Sequence, residues 1–389
     1  MPKTLPVVRG RIHTAPEKLG LDPHRLQELE RHFAGLIERG KLQGASYLVA
    51  RDGEIAVNNA IGSLTYHEDS AELQPDSIRK VFSITKAFTA VAIAKLVEEG
   101  KLFYQQPVSA WLPEFDTVLH RDITIQHLLS HTSGLMADPG CRNEPYQIPW
   151  YEWWVHEKQE RDPSGRLQEG DWIRTILGGR MWCKPGEQWS YSTAGYSLLG
   201  EVISRASGQH YDRYIQEQII TPLGLDRTFM NSVPQSLHPE VCYVNPWQEK
   251  EFRPAHDGTG TPPAAGNGLF STLEDLWKFG QCLLDGGSFN GHTLLGRRMV
   301  QNMVSNQLKN IPSTCWGEKM QDYPMSLGFN LNHNDICSPG TFSHEGFGHS
   351  GLYVDPRERL VYVFFVPSQA GWVPEAVINP RAIVWSALL

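Results

Sequence analysis

Ser83-Ile84-Thr85-Lys86 opens an apolar run that ends at Glu98-Glu99-Gly100. The run predicts a buried helix that begins near Ser83, with the serine at the positive end of the helix. A serine and a lysine three residues apart lie on one face of such a helix. Burial and the helix N-terminus both disfavour a protonated Lys86, so a neutral amine could take the proton of the Ser83 hydroxyl. The stretch therefore predicts a nucleophilic serine that needs no histidine.

A second Ser-x-x-Lys sequence, Ser77-Ile78-Arg79-Lys80, stands shortly before the first. It follows the turn-like Gln74-Pro75-Asp76 and runs into Val81 and Phe82, as a loop that enters a helix would. The spacing alone is a weak signal because both residue types are common. The helical context therefore selects Ser83 over Ser77 as the nucleophile.

Both ends of the chain contain patterns typical of antiparallel strands. Ala45–Arg51 and Glu54–Ala60 flank Asp52-Gly53, the strongest short-range signal for a hairpin. Near the other end, Leu352–Asp355 and Arg359–Val366 surround a turn that contains proline. The sequence therefore predicts an antiparallel sheet that is built from both chain ends.

Helical patterns flank these strands and fill the middle of the chain. Pro23–Gly40 carries apolar residues at helical spacing, and Asn379-Pro380 starts a last helix. From about residue 117 to 263 the sequence consists of helical fragments and loops rich in Pro, Gly and Trp. We therefore predict an α+β fold, with a sheet domain of residues 1–116 and 264–389 and a helical insertion domain of residues 117–263. The serine helix is expected at their junction, where pockets are common.

Composition describes an ordinary globular protein. The chain has 389 residues, of which 40% are hydrophobic and 20% charged, and its formal net charge is −8. This balance does not favour binding to nucleic acid or to an anionic membrane. Residues 1–10 lack the apolar segment of a signal peptide, and no run approaches the ~20 apolar residues of a membrane helix. The expected location is cytoplasmic.

Neither the cysteines nor the histidines predict a metal site or another cofactor. The cysteines are scattered, with no Cys-x-x-Cys pair, and are interpreted as free thiols. They are Cys141, Cys183, Cys242, Cys282, Cys315 and Cys337. His344-Glu345-Gly346-Phe347-Gly348-His349 is one residue longer than a His-Glu-x-x-His zinc motif and contains two glycines. Its histidines would not share a helical face.

Two further stretches carry groups that can take part in catalysis. Tyr191-Ser192-Thr193 lies between a turn and a helical segment, so Tyr191 either packs with its hydroxyl bonded or relays a proton beside the Ser-Lys pair. The second possibility requires neighbouring cations that lower its pKa. Gly348-His349-Ser350-Gly351 precedes a strand whose N–H could complete an oxyanion hole with the Ser83 amide. The similar His131-Thr132-Ser133-Gly134 is typical of a helix end, so His131 is interpreted as structural.

Ser83-Ile-Thr-Lys86, Tyr191-Ser-Thr193 and His349-Ser-Gly351, in this order, resemble the serine β-lactamase-like superfamily. The resemblance covers most of the chain and is most specific to class C β-lactamases and the related family VIII carboxylesterases. It implies that Ser83 is the acylated nucleophile and that Lys86 and Tyr191 share the acid and base steps. It also implies that the backbone amides of Ser83 and Leu352 form the oxyanion hole.

The same resemblance assigns the remaining site residues. His349 stands where the lactamases have a lysine, and Thr193 stands where they have an asparagine. Both changes remove groups that help to bind and process a β-lactam, so they favour the esterase branch. By the resemblance His349 belongs to the catalytic set, and Thr193, Ser350 and Gly351 contact the substrate.

The sequence therefore predicts a serine carboxylesterase that cleaves a small-molecule ester through an acyl-enzyme. The alternatives are a β-lactamase or D-alanyl peptidase, an acyltransferase, and a catalytically silent binding or scaffold protein. The oligomeric state stays open. Aromatic residues in the stretch before Tyr191 predict an apolar pocket wall suited to short neutral esters. They are Trp150, Tyr151, Trp153, Trp154, Trp172, Trp182 and Trp189.

Overall fold

A computed structural model of the chain describes residues 5–141, 171–252, 262–317, 319–331, 335–369 and 371–389. Seven strands form its larger sheet. They are β1 (Val7–Arg9), β2 (Gly44–Arg51), β3 (Glu54–Gly62), β10 (Asn330–Leu331), β11 (Phe342–Gly346), β12 (Ser350–Asp355) and β13 (Leu360–Phe365). The sheet is antiparallel, with the order β1-β3-β2-β13-β12-β11-β10. Both chain ends therefore contribute strands, as predicted.

The predicted hairpin at Asp52-Gly53 is confirmed. Asp52 and Gly53 have φ angles of 54° and 82°, which match the tight turn that follows the twist of two antiparallel strands. β13 lies beside β2, with pairs from Leu360↔Arg51 to Phe365↔Ser46. This pairing joins the two ends of the chain in the centre of the sheet.

Helices cover both faces of this sheet. Those of the described residues are α1 (Pro23–Glu38), α2 (Thr85–Glu98), α3 (Ile125–Leu129), α4 (Asp171–Gly178), α5 (Thr193–Ser207), α6 (Tyr211–Ile215), α7 (Pro246–Glu251), α8 (Leu273–Leu284), α9 (Arg297–Met303) and α10 (Ile378–Ser386). Tyr47 and Val49 of β2 join the core under α1 and α10, whereas Leu48 and Ala50 join the core that contains α2 and α8. This alternation separates two apolar layers and confirms the α+β class.

α2 is the central helix of the larger core. Almost every residue from Thr85 to Leu96 is buried, with Lys95 as the exception. The helix packs against α5, α6 and α9, so it needs no polar face. A one-turn 3-10 helix, Phe82–Ile84, precedes it, and α2 itself begins just after Ser83.

A smaller sheet includes the strand that leads into α2 and contains strands that the sequence analysis did not predict. It consists of β4 (Ile78–Lys80), β5 (Phe229–Met230), β6 (Val241–Cys242) and β7 (Leu269–Ser271), in the order β5-β7-β4-β6. A separate hairpin pairs β8 (Ser288–Phe289) with β9 (His292–Thr293). β5 and β6 fall in the predicted helical insertion and are too short to show an alternating pattern. The division into two domains stays a prediction.

The expectation that all six cysteines are free thiols is wrong. Cys141 and Cys315 form a disulfide across a sequence separation of 174 residues. Spacing along the chain cannot reveal a pair that the fold alone brings together. The cytoplasmic location stays a prediction. Among the described residues, none of the helices has both the length and the apolar character needed to cross a bilayer.

Candidate active site

Ser83 lies in a tight turn that leads directly into α2. Phe82 has a φ of 45°, a conformation that few residues other than glycine adopt. The Thr85 hydroxyl donates to the Phe82 carbonyl over 2.6 Å and holds the turn closed. Ser83 is partly exposed, whereas Phe82 and Ile84 are buried. The turn therefore leaves the Ser83 hydroxyl accessible at the start of a buried helix.

Ser77, the alternative nucleophile, has a different environment. It is 5% exposed, and its hydroxyl accepts from the Gln74 N–H over 3.0 Å. This bond closes the turn before β4, so Ser77 supports a turn. The choice of Ser83 as the nucleophile stays a prediction.

The Lys86 amine is buried directly beside Ser83. Its Nζ lies 3.1 Å from Ser83 Oγ, 3.1 Å from Thr193 Oγ1 and 2.9 Å from the Gly266 carbonyl oxygen. The side chain is fully buried, and this burial lowers the pKa of Lys86 from 10.5 to about 8, against the raising effect of the Asp138 carboxylate. Lys86 is therefore largely neutral in mildly alkaline solution, as a base for Ser83 must be.

Tyr191 lies against the Lys86 amine, with 4.9 Å between Nζ and the ring centroid. Burial and the Asp138 carboxylate raise the pKa of Tyr191 well above its ordinary value, while a hydrogen bond with Ser83 acts in the opposite direction. The lowered pKa that a relay would require is therefore not found. A phenol that keeps its proton is better suited to donate it than to accept one.

Thr193 begins α5 and joins Lys86 to a carboxylate. Its backbone N–H and its hydroxyl donate to the two oxygens of Asp138, each over 2.6 Å. The Asp138 N–H in turn donates to the Tyr191 carbonyl over 2.8 Å. Asp138 was not identified from the sequence because an isolated aspartate in a loop carries no motif. Contact of Thr193 with the substrate stays a prediction.

His131 packs beneath Tyr191, with 4.4 Å between the ring centroids. It is buried, and its Nδ1 accepts from the Ser192 N–H over 3.1 Å. Burial, with the Lys86 charge, holds the pKa of His131 well below its usual range. A neutral histidine that accepts from the backbone helps to shape the Tyr191 segment, which agrees with the structural interpretation.

β11 brings His344 and Gly346 to the Ser83 turn. A side-chain carbon added at Gly346 would lie 2.1 Å from the Val81 carbonyl oxygen, so only glycine fits against this turn. His344 is on the same face of the strand, whereas Glu345 on the opposite face contacts Tyr353. Burial and the nearby Lys86 charge lower the pKa of His344 to about 3. His344, like His131, is therefore neutral.

His349, which the sequence placed in the catalytic set, is not brought to Lys86. It lies in the turn between β11 and β12, with a φ of 64°. Its Nε2 accepts from the Val373 N–H over 3.0 Å, and its ring stacks on Trp372. Burial, with the nearby Arg79 charge, lowers the pKa of His349 to about 4. His344 and not His349 lies near Lys86, because the strand beside the Ser83 turn is β11.

Leu352, the predicted second oxyanion donor, lies in an interior strand. It pairs with His344 on β11 and with Val363 on β13, so neighbouring strands occupy both sides of its backbone. The predicted substrate contacts of Ser350 and Gly351 also have structural explanations. The Ser350 hydroxyl donates to the Val81 carbonyl over 3.1 Å, and a side-chain carbon at Gly351 would lie 2.3 Å from the Phe364 ring. None of these three is free to face Ser83.

The sequence contained a signal for His344 that the zinc comparison obscured. His344-Glu-Gly346 and His349-Ser-Gly351 share the His-x-Gly pattern, and only strand order distinguishes them. His344 and His349, the two histidines of the stretch that differs from a zinc motif, have separate surroundings. The described part of the chain contains no group of three or more His, Cys, Asp or Glu residues that could hold a metal ion.

Exposed aromatic side chains lie beside the Ser83 turn, but they are not the predicted ones. Phe347 is 71% exposed and Trp247 is 52% exposed, and their rings lie 5.5 and 6.2 Å from the Phe82 ring. Trp316, also exposed, lies 5.4 Å from the Tyr191 ring. Of the predicted residues, Trp172 and Trp189 are buried and Trp182 is half-buried. The others, Trp150, Tyr151, Trp153 and Trp154, lie outside the described residues.

Comparison with known proteins gives consistent matches over most of the chain. A family model described as Beta-lactamase matches residues 29–384. Protein flp of Staphylococcus aureus strain MW2 is 30% identical over 346 residues, which cover 88% of this chain and 63% of flp.

Solved structures with similar folds include proteins of several activities. A family VIII carboxylesterase has 21% identity and a TM-score of 0.70, with 95% of this chain and 99% of that chain covered. EstCE1, described as a hydrolase with promiscuous acyltransferase activity, has 19% identity and a TM-score of 0.72, with 93% and 98% covered. A penicillin-binding protein homologue from Caulobacter crescentus has 22% identity and a TM-score of 0.70, with 94% and 98% covered.

Proposed function

The chain belongs to the Beta-lactamase family, and we propose that within this family it is a serine carboxylesterase that forms an acyl-enzyme on Ser83. The observation that carries the proposal is the buried Lys86 amine, 3.1 Å from Ser83 Oγ, with its pKa lowered to about 8. A neutral amine at this distance can remove the Ser83 proton as the oxygen attacks an ester carbonyl.

The proton transfers of the proposed reaction balance among three side chains. Ser83 gives its proton to Lys86 while Oγ bonds to the carbonyl carbon. The Tyr191 phenol gives its proton to the departing alcohol as the ester C–O bond breaks, and the Lys86 ammonium restores the phenol. In the second half, water gives a proton to neutral Lys86 as its oxygen bonds to the acyl carbon, and the Lys86 ammonium returns a proton to Ser83 Oγ as the acyl C–O bond breaks, which releases the acid and Ser83.

The oxyanion of the intermediate needs two backbone donors. We assign the Ser83 N–H as the first and the N–H of Phe347, which follows Gly346, as the second. β11 pairs with β10 through Phe342 and Ser343, so among the described residues no strand pairs with the outer edge of β11 at Gly346, which borders the Ser83 turn. This assignment takes the place of the one that used Leu352.

A neutral His344 supports the preference for esters. Its Nδ1 donates to the Glu345 carbonyl over 2.9 Å, so its buried Nε2 is an acceptor without a hydrogen-bond partner. A β-lactam or a peptide C-terminus carries a carboxylate, which an acceptor does not attract. The exposed rings of Phe347, Trp247 and Trp316 instead provide apolar surface for a short acyl or aryl group.

Peptidase or β-lactamase activity is the second candidate. Its support is the Lys80 ammonium, which lies 5.1 Å from the Phe82 ring centroid and so places a cation near the Ser83 turn. Acyl transfer would use the same acyl-enzyme, and EstCE1 is described as a hydrolase with promiscuous acyltransferase activity.

The test compares kcat/KM for p-nitrophenyl acetate and butyrate with the values for a long-chain ester and a chromogenic cephalosporin. We expect the short esters to be cleaved far faster than either comparison substrate. A cephalosporin that matches or exceeds the short esters would replace the esterase proposal by the lactamase one. Labelling with a fluorophosphonate probe, followed by peptide mapping, separates an enzyme from a silent scaffold.

A further inference from the structure

We propose that Asp138 is a positioning residue, which aims the lone pair of the Lys86 amine at Ser83 by fixing the proton of the Thr193 hydroxyl. The inference rests on the proposed role of Lys86 as the base. Both Asp138 oxygens are engaged by Thr193, one by its N–H and one by its hydroxyl, each over 2.6 Å. The carboxylate can only accept, so the proton of the Thr193 hydroxyl points to Asp138.

The direction of that proton decides what Lys86 can do. The Thr193 hydroxyl uses its proton in the hydrogen bond to Asp138. Toward Lys86 Nζ, 3.1 Å away, Thr193 Oγ1 can therefore only accept. The Gly266 carbonyl, 2.9 Å from Nζ, can also only accept. A neutral amine has two N–H bonds and one lone pair, and these two acceptors take both N–H bonds. The lone pair therefore remains for the Ser83 hydroxyl, 3.1 Å from Nζ.

Loss of the carboxylate would undo this arrangement. An asparagine whose oxygen stays on the Thr193 N–H would present its NH₂ group to the Thr193 hydroxyl. The hydroxyl would then accept from the amide and turn its own proton toward Lys86, where it competes with Ser83 for the lone pair. Lys86 would stay in place, but its lone pair would accept from Thr193 for part of the time instead of from Ser83.

The surrounding loop favours a clean substitution at this position. The Asp138 N–H donates to the Tyr191 carbonyl over 2.8 Å, and the Cys141 N–H donates to the Asp138 carbonyl over 3.1 Å. Cys141 is linked to Cys315 by the disulfide, and the Ser192 hydroxyl donates to the Met136 carbonyl over 2.6 Å. These backbone anchors do not involve the Asp138 side chain, so Asp138→Asn retains them.

The carboxylate also has an electrostatic effect that a purely structural residue would lack. Its charge raises the pKa of Lys86, against the lowering that burial causes. Removal of the charge therefore lowers the pKa of Lys86, and the neutral form appears at a lower pH. Asp138→Asn should move the acid limb of the rate profile to lower pH while it reduces the plateau.

The experiment measures the rate at which a fluorophosphonate probe modifies Ser83 between about pH 5 and 10, where a lysine base of this kind titrates. We expect Asp138→Asn to lower the plateau rate by about tenfold or more and to shift the limb to lower pH. The matched control, Asp116→Asn, removes an exposed carboxylate and should change neither value. Thr193→Ser keeps the hydroxyl and should retain most of the rate. Thr193→Val should lower the plateau without moving the limb to lower pH, because Asp138 keeps its charge.

The outcomes separate this inference from the proposed function. No modification of Ser83 in the folded wild-type protein would overturn the proposed function itself. Normal modification of the wild type, with an unchanged plateau and limb in Asp138→Asn, would overturn the inference alone. If Asp138→Asn does not fold, the Thr193 pair decides: equal plateau rates for Thr193→Ser and Thr193→Val would overturn it, and a loss confined to Thr193→Val would support it.

Discussion

β11 and the start of β12 carry the same His-x-Gly pattern, and they differ in what lies beside each strand. β11 borders the Ser83 turn: Gly346 lies against the Val81 carbonyl, and the nearby Lys86 charge lowers the pKa of His344. β12 is paired with β11 on one side and with β13 on the other, so Gly351 lies inside the sheet. His349, which precedes β12, accepts a hydrogen bond from the Val373 N–H. A His-x-Gly stretch can therefore contribute to the candidate active site only where its strand borders the Ser83 turn. The two Ser-x-x-Lys sequences also differ in their surroundings. The Ser77 hydroxyl accepts a hydrogen bond that closes a turn, whereas the Ser83 hydroxyl lies beside the buried Lys86 amine.

The largest expected effect separates the two serines. Ser83→Ala should lower kcat/KM for p-nitrophenyl acetate by at least ~10⁴-fold, because removal of a nucleophile leaves only binding and oxyanion stabilisation. Ser77→Ala should keep the activity and lose some stability, since the Gln74 N–H loses its acceptor. Kinetics and thermal unfolding of both variants check this pair. Activity that survives in Ser83→Ala would show that Ser83 is not the nucleophile.

A second test addresses Tyr191 as the proton donor to the departing alcohol. Tyr191→Phe removes only the hydroxyl and should lower kcat by ~100-fold or more, the scale of general acid catalysis. Lys86→Ala should cost at least as much because it removes the base. A near-normal rate for Tyr191→Phe would leave the tyrosine with a packing role against His131 and Trp316.

The comparison of the two histidines is sharpest when each is replaced by alanine. His344→Ala should lower kcat/KM for short esters by ~10-fold or more, because it opens the wall of the site beside Lys86. His349→Ala should leave kcat/KM within about threefold and lower the free energy of unfolding by about 1–2 kcal/mol, since the Val373 N–H loses its acceptor. The reverse pattern would restore the assignment that the sequence made.

A separate expected effect, on stability rather than on rate, concerns the buried lysine. Lys86 has a pKa of about 8 in the fold and 10.5 when unfolded, so below pH 8 the fold holds a buried charge at a cost. That cost falls as pH rises above 8, and most of it is gone at pH 10.5, where the folded state is neutral and about half of the unfolded chains are neutral. The stability of Lys86→Met relative to wild type should therefore fall by about 2–3 kcal/mol between pH 7 and pH 10.5. Denaturant unfolding at several pH values measures it, and a constant difference would contradict a lowered pKa.

Local patterns predicted the parts of this molecule that depend on neighbouring residues. The hairpin at Asp52-Gly53 and the pair of Ser83 and Lys86 follow from turn chemistry and helical spacing, and both are found. The choice between His344 and His349 depends on strand order, which distant segments decide. The disulfide between Cys141 and Cys315 and the contact of Asp138 with Thr193 likewise join segments far apart in sequence. Neither has a signature in the residues around it.

The central claim is that Ser83 is activated by a lysine that loses its proton in mildly alkaline solution, well below the pKa of an ordinary lysine. The most direct test follows fluorophosphonate modification of the wild-type protein as a function of pH and maps the modified peptide. The account predicts a single modified residue, Ser83, and a rate that rises to a plateau with a midpoint near the pKa of Lys86, about 8. Modification at Ser77, or a midpoint close to the 10.5 of an ordinary lysine, would contradict it.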